Sequence, residues 1–223
     1  SFPLIAGSVD LSAEEKSQGF ELLFNGENLD GWIIQGLEGE KPSIENNILK
    51  MDGWDWWAII SKKKFRNFTL RCEVLIEKDG NTGILFHTPE KEVFITSPEI
   101  QLCDDAGQEP SKKSSGAIFN VLAPKKNAIK PAGEWNTVEI TVKDNHLTVI
   151  LNGETVQDTD IEGLEGIKHK RQEGGIAFQH KSFKHKAAFR NIRVKVCKIG
   201  NERYANSPGA RRSGAVCFFG WIW

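Results

Sequence analysis

An excess of charge of either sign is missing from this sequence: 29 Lys and Arg stand against 30 Asp and Glu in 223 residues, a formal net charge of -1. Proteins that grip nucleic acid by its phosphates carry a marked basic surplus, so the balance argues against that class. No apolar run approaches the roughly 20 residues that a bilayer-spanning helix needs. No initiator Met and no charged segment ahead of an apolar stretch opens the chain, so no signal peptide is visible, and a leader removed ahead of Ser1 stays open. Heptads, internal repeats and βαβ spacing are absent too, which argues against coiled coils, solenoids and doubly wound sheets. The four cysteines, Cys72, Cys103, Cys197 and Cys217, form no CxxC pair. Their spacing supports no zinc site and fixes no disulfide.

What is present points to strands. Glycine occurs 21 times, phenylalanine 13 and tryptophan 7, against one Met and one Tyr. Glycine-rich turns between short runs of Val, Ile, Phe and Thr are how antiparallel sheets are written. Ser12, Ala13, Glu14 and Glu15 resemble a brief helix start. Strands are expected over 20–24, 29–34, 43–51 and 68–77, the last with Phe68, Leu70, Cys72, Val74 and Ile76 on one side. Further strands are expected over 81–87, 97–103, 175–180 and 189–196. Residues 135–142 and 146–151 read as a hairpin, and Asn152-Gly153 as a two-residue turn into the next strand. The class is all-β, a two-sheet antiparallel jelly-roll sandwich of one domain over 19–200. Residues 1–18 form a lead-in. Residues 201–223 form a tail with no assigned role: its apolar end, from Val216 to Trp223, would pack back or meet a partner, or is an extension foreign to the domain.

Alternation also sorts side chains by face. With Ile84 and Phe86 in the core, Asn81, Leu85 and His87 lie opposite. With Ile100 and Leu102 inside, Glu99 and Gln101 do not. With Ile176 and Phe178 inside, Gln179 does not. These polar groups are expected to gather in a hollow on the outer, concave side of one sheet, offering the donors and acceptors that a sugar needs. The same pattern is also how the wet side of any antiparallel sheet looks.

Several segments taken together carry a resemblance. They are Phe24-Asn25-Gly26 with Leu29-Asp30-Gly31-Trp32, Gly80-Asn81-Thr82-Gly83-Ile84, Glu99-Ile100-Gln101-Leu102 and Gly116-Ala117-Ile118. Lys130-Pro131-Ala132-Gly133-Glu134-Trp135-Asn136, Leu151-Asn152-Gly153 and Phe189-Arg190-Asn191-Ile192 complete the set. In order and spacing, residues 19–195 resemble the 3-keto-disaccharide hydrolase family, formerly a domain of unknown function. The resemblance implies a concanavalin A-like lectin and glucanase fold. Two features depart from the family pattern: His87 stands where an Arg is usual, and the segment 180–188 is longer and basic. Both bear on substrate preference.

The chemistry that the resemblance implies differs from ordinary glycoside hydrolysis, which needs two carboxylates flanking the bond. A ketone at C3 of the sugar acidifies the C2 proton. A base removes it, the aglycone leaves C1 by elimination, and water addition completes net hydrolysis. On that basis Glu99 is the leading base or acid, His180 the alternative proton carrier, and Asp104 a weaker candidate that could instead cap a turn. Lys130 and His87 are candidates for steadying the enolate. Asn81, Gln101 and Gln179 would hold hydroxyls, and Trp56 or Trp54 would stack on a sugar ring. Trp57 is expected to be structural, and Trp32 and Trp135 to lie in the core. No cofactor is implied with certainty, although Glu, His and Asp together could bind a divalent metal. The expected partner is a carbohydrate, a keto-sugar glycoside, and the expected setting is periplasmic or extracellular. The alternative is a non-catalytic carbohydrate-binding, lectin-like module, since this sandwich hosts both classes.

Overall fold

A computed structural model describes residues 10–36, 41–91, 97–167, 172–182 and 185–197. The apolar tail, and with it Cys217, lies outside the described residues. No helix among them is long and apolar enough to cross a membrane. A short helix, α1 (Ala13–Ser17), opens with a capping box in which Ser12 and Glu15 bond each other's backbone N–H groups. Strands β1 (Glu21–Leu22), β2 (Trp32–Gln35), β3 (Ser43–Glu45), β4 (Ile48–Met51) and β5 (Trp57–Ser61) follow. Next come β6 (Phe68–Ile76), β7 (Asn81–Thr88), β8 (Glu99–Cys103), β9 (Trp135–Lys143) and β10 (His146–Leu151). The last three are β11 (Glu154–Asp160), β12 (Gly175–His180) and β13 (Ala187–Val196).

The strands form two antiparallel sheets. The larger runs β11-β10-β9-β6-β13-β4-β3, with β1 also paired to β13; the smaller runs β2-β5-β12-β7-β8. This is the expected two-sheet sandwich. Its core lies where the inward residues of β6 (Phe68, Leu70, Cys72, Val74, Ile76) meet Ile84 and Phe86 of β7, Ile100 and Leu102 of β8, and Ile176 and Phe178 of β12. Phe178 joins the layers, its ring 4.6 Å from Phe189 of the large sheet and 5.7 Å from Trp32. Burying side chains of this size contributes about 1.5–3 kcal/mol each.

Turn chemistry sets the registers. Asn152 and Gly153 both have positive φ (53° and 82°), the type I′ geometry whose twist matches the flanking strands β10 and β11. Residues 43–51, expected as one strand, are instead a hairpin, because Asn46 and Asn47 take φ of 52° and 60° and fold β4 back on β3. Asparagine tolerates this left-handed region better than most residues. Trp32 and Trp57 are buried, as expected of structural tryptophans. Trp135, expected in the core, is instead half-buried on the outer side of the large sheet, where the Arg190 guanidinium sits 4.0 Å above its ring.

Candidate active site

The outer face of the small sheet can be built row by row from its registers. Gln35 pairs Ala58, Ala58 pairs Gln179, and Gly83 pairs Gln101. Phe178 pairs Ile84, so Gln179 stands one step on, beside Gly83. A single row across five strands therefore reads Gln35, Ala58, Gln179, Gly83, Gln101. Small residues at Ala58 and Gly83 leave room between the glutamines. On one side of this row lie Ile60, Ala177, Leu85 and Glu99. On the other, Lys181 and Asn81 follow, with Trp56 just ahead of β5.

A cavity of about 830 Å³ opens over this polar patch, lined by Trp56, Asn81, Glu99, Gln101, Gln179 and Lys181. The Gln101 side chain is buried, and its amide oxygen has no hydrogen-bond partner among the described residues. An orphan acceptor of this kind is costly unless something donates to it. Ser97, also lining the cavity, holds a second such atom, its hydroxyl oxygen. Trp56, 44 % exposed, stands at the rim.

Glu99 is the titratable centre. Burial pushes its carboxyl up to about 7, partly offset by the positive charge of Lys181. A carboxyl tuned to neutral pH is what proton transfer in a neutral solution requires.

The edge of the sheet adds a further wall. Beyond β8, residues 116–119 run alongside as an extra short pairing. The Gln101 N–H donates to Ala117 O (3.0 Å), the Gly116 N–H to Gln101 O (2.8 Å) and the Phe119 N–H to Glu99 O (2.9 Å). Ile118 bridges Ile100 and is buried in the core, so Phe119, one residue on, turns to the outer face beside Glu99. With Val121, Leu164 and Ile167 it lines that end of the cavity, beside Lys112, Asn120 and Glu165.

The expected site residues divide sharply. Asn81, Glu99, Gln101, Gln179 and Trp56 converge on one cavity; His87, His180, Asp104 and Lys130 do not line it. His180 follows Gln179, so pleating turns it to the opposite face. It is fully buried, its ring 5.1 Å from that of Trp57 and its Nε2 3.3 Å from Gly53 O. His87 is displaced by a bulge. Leu85 pairs Ala177 while Thr88 pairs Gly175, so β7 carries one extra residue, and His87 takes φ 51°. Its ring packs against Phe86 and Phe68, and its Nε2 lies 2.9 Å from Arg66 O. Asp104 ties down the turn before β7, accepting from the Asp79 N–H (3.0 Å) and donating its own N–H to Gly80 O. Lys130 donates from Nζ to Trp135 O (3.0 Å) and serves the approach to β9.

Because Glu99, His180 and Asp104 lie apart, they do not form a metal-ligand set. Among the described residues no group of three His, Cys, Asp or Glu side chains stands ready to hold an ion. Missed from the sequence were Lys181, Phe119 and the 164–167 wall. Lys181 had a signal, since it is two residues beyond Gln179 and shares its face. Phe119 had none, because the pairing that orients it runs through a loop without strand character.

Chains of this kind are known. A 3-keto-disaccharide hydrolase of Bacteroides thetaiotaomicron is 26 % identical over 231 residues, covering 81 % of this chain and 79 % of that protein. The crystal structure of a candidate glycosyl hydrolase from Parabacteroides distasonis superposes with a TM-score of 0.73 at 28 % identity, over 85 % of this chain and 99 % of the other. A second candidate glycosyl hydrolase from that organism shares the fold, with a TM-score of 0.68 at 24 % identity over 80 % and 99 % of the two chains. Residues 19–195 match the model of the 3-keto-alpha-glucoside-1,2-lyase-like domain, and the chain belongs to that family.

Proposed function

We propose that the protein cleaves 3-keto-glycosides by proton abstraction, elimination and hydration. The observation that carries this is Glu99: one carboxyl held near neutrality in a cavity with a glutamine acceptor left open for a hydroxyl. In this scheme the Glu99 carboxylate takes the C2 proton, and the C2–H electrons move onto the C3 oxygen as an enolate. Lys181, the cation beside Glu99, steadies that charge in the place first expected of Lys130 and His87. Collapse of the enolate forms the C1–C2 double bond and breaks the bond from C1 to the aglycone, which leaves with a proton from solvent. Water adds across the new double bond, its oxygen to C1, to give the free keto-sugar. Asn81, Gln101 and Gln179 hold ring hydroxyls, and Trp56 covers a ring face. The family name and the Bacteroides relative's name support this substrate class. The resemblance extends the proposal to a periplasmic or extracellular setting.

The test is release of the aglycone from a 3-keto-glucoside beside the parent glucoside. The expected result is turnover of the keto form alone, lost by at least 100-fold in Glu99→Gln with the fold intact. An unchanged rate in that variant would remove Glu99 from the mechanism. Binding of unmodified glycans without turnover, abolished by Trp56→Ala, would establish the lectin-like alternative.

A further inference from the structure

Two polar groups of the cavity lining stay unpaired in the folded chain, and they flank Glu99. Gln101, Glu99 and Ser97 line the cavity at two-residue intervals along β8 and the residues just ahead of it. Of the buried side-chain polar atoms without a hydrogen-bond partner among the described residues, Gln101 Oε1 and Ser97 Oγ alone belong to residues that line the cavity. Their Cα atoms stand about 13 Å apart at the usual strand rise, so one ligand hydroxyl cannot serve both. The segment that carries Ser97 is held in register with the sheet. The Phe86 N–H donates to Pro98 O (3.2 Å), and the proline ring fixes its own φ.

Ser97 differs from the other buried serines among the described residues, Ser61, Ser114 and Ser115. The Ser61 hydroxyl donates to Lys63 O (2.8 Å) and accepts from the Ile176 N–H (2.9 Å). Ser114 Oγ accepts from the Ser111 N–H (2.8 Å), and the Ser115 hydroxyl donates to Asp105 Oδ1 (2.6 Å). Ser97 makes no such bond, and of the four it alone lines the cavity. Thr88, the other buried hydroxyl without a partner among the described residues, is not part of the cavity lining. A buried hydroxyl left unpaired lowers stability, and alanine would fill the same place without that cost. Serine carries its hydroxyl on one torsion, and no bond holds that torsion in any of its staggered positions. What the hydroxyl adds at the cavity surface is a donor and an acceptor for a ligand.

We infer that Ser97 is a substrate-binding residue, its hydroxyl bonding an oxygen of the sugar ligand on the side of Glu99 away from Gln101. This rests on the function proposed above and adds a specificity residue to it. The experiment measures steady-state kinetics and thermal unfolding of the whole protein on methyl 3-keto-glucoside and a 3-keto-disaccharide, with Ser97→Ala beside Thr88→Val as the control. In Ser97→Ala kcat/KM should fall about tenfold on at least one of the two compounds, mostly through KM. Its pH midpoint should not move, and its melting temperature should be no lower than the parent's. Thr88→Val should leave the kinetics on both compounds unchanged. A loss on both compounds puts the partner oxygen on the keto-sugar ring, and a loss on the disaccharide alone puts it on the second sugar; either result supports the inference. Unchanged kinetics of Ser97→Ala on both compounds overturn it and leave the proposed chemistry standing. So does a lower melting temperature or a shifted midpoint, which would give the hydroxyl a structural role instead. No turnover of either compound by the parent removes the chemistry, and the binding role with it.

Discussion

The carboxyl arm of Glu99 lies over Gly83, in the space that a side chain at that position would occupy. A Cβ built on Gly83 would stand 2.9 Å from Glu99 Cγ, 2.8 Å from Cδ and closer still to Oε1. Glu99 reaches across the neighbouring strand because that strand has no side chain there. Gly83 is not in the left-handed region, so alanine fits its backbone. Gly83→Ala should therefore fold and push the end of the Glu99 side chain aside. Misplacing a reacting group by about 1 Å can cost on the order of 100-fold. The expected outcome is a fall in kcat of that size, with KM little changed and a melting temperature close to that of the parent, measured by steady-state kinetics and thermal unfolding.

The raised pKa of Glu99 has two consequences of opposite kind. In the proposed role of base Glu99 must be deprotonated, so kcat/KM should rise with pH and level off above about 7. Stability runs the other way. Between the ordinary carboxyl value of 4.5 and about 7, the folded chain keeps a proton that the unfolded chain has released, so stability falls as pH rises through that window. Glu99→Gln removes the ionisation. It should be stabilised relative to the parent by up to about 3 kcal/mol at pH 8 and by little at pH 4. Urea melts at the two pH values check this, and an equal effect at both would show that the carboxyl is not perturbed.

Much of this molecule was legible from alternation alone. The strands that carry Asn81, Glu99, Gln101 and Gln179 have hydrophobic partners at strict period two, and pleating then leaves those side chains no other face. The same rule argues against His180, the immediate neighbour of Gln179, and points to Lys181. His87 was not legible, because the bulge that turns it into the core depends on its pairing with β12 and leaves no mark in the local sequence. The Asn46-Asn47 turn did carry a mark, two consecutive residues tolerant of positive φ, within a stretch whose hydrophobicity reads as continuous.

Lys181 is the cation that offsets the burial of Glu99, and its removal should move the activity profile predictably. Without that charge, only desolvation remains to set the Glu99 carboxyl, which then titrates higher still. Lys181→Met should shift the midpoint of the kcat/KM profile upward from about 7. It should also lower the plateau above the midpoint, since the enolate loses its counter-charge. Lys181→Arg should restore the midpoint more completely than the plateau, because a guanidinium keeps the charge and changes its shape. A profile unmoved by Lys181→Met would show that the lysine does not sense Glu99.

The pin beneath the 116–119 segment can be drawn without touching the cavity. Asp105 does not line it, yet its carboxylate accepts both the N–H and the hydroxyl of Ser115, three residues ahead of Ile118. Asp105→Ala leaves a buried N–H without a partner, at a cost of about 1–3 kcal/mol. For a domain of this size each kcal/mol lowers the melting temperature by roughly 2–4 °C. The pairing of residues 116–119 with β8 survives in part, since its three backbone bonds do not involve Asp105. The wall should then loosen while Glu99, fixed on its own strand, stays in place. The expected signature is a lower melting temperature and a lower kcat/KM with an unshifted pH midpoint. A shifted midpoint would instead tie Asp105 electrostatically to Glu99, and an unchanged melting temperature would mean that the wall is held by its backbone pairing alone.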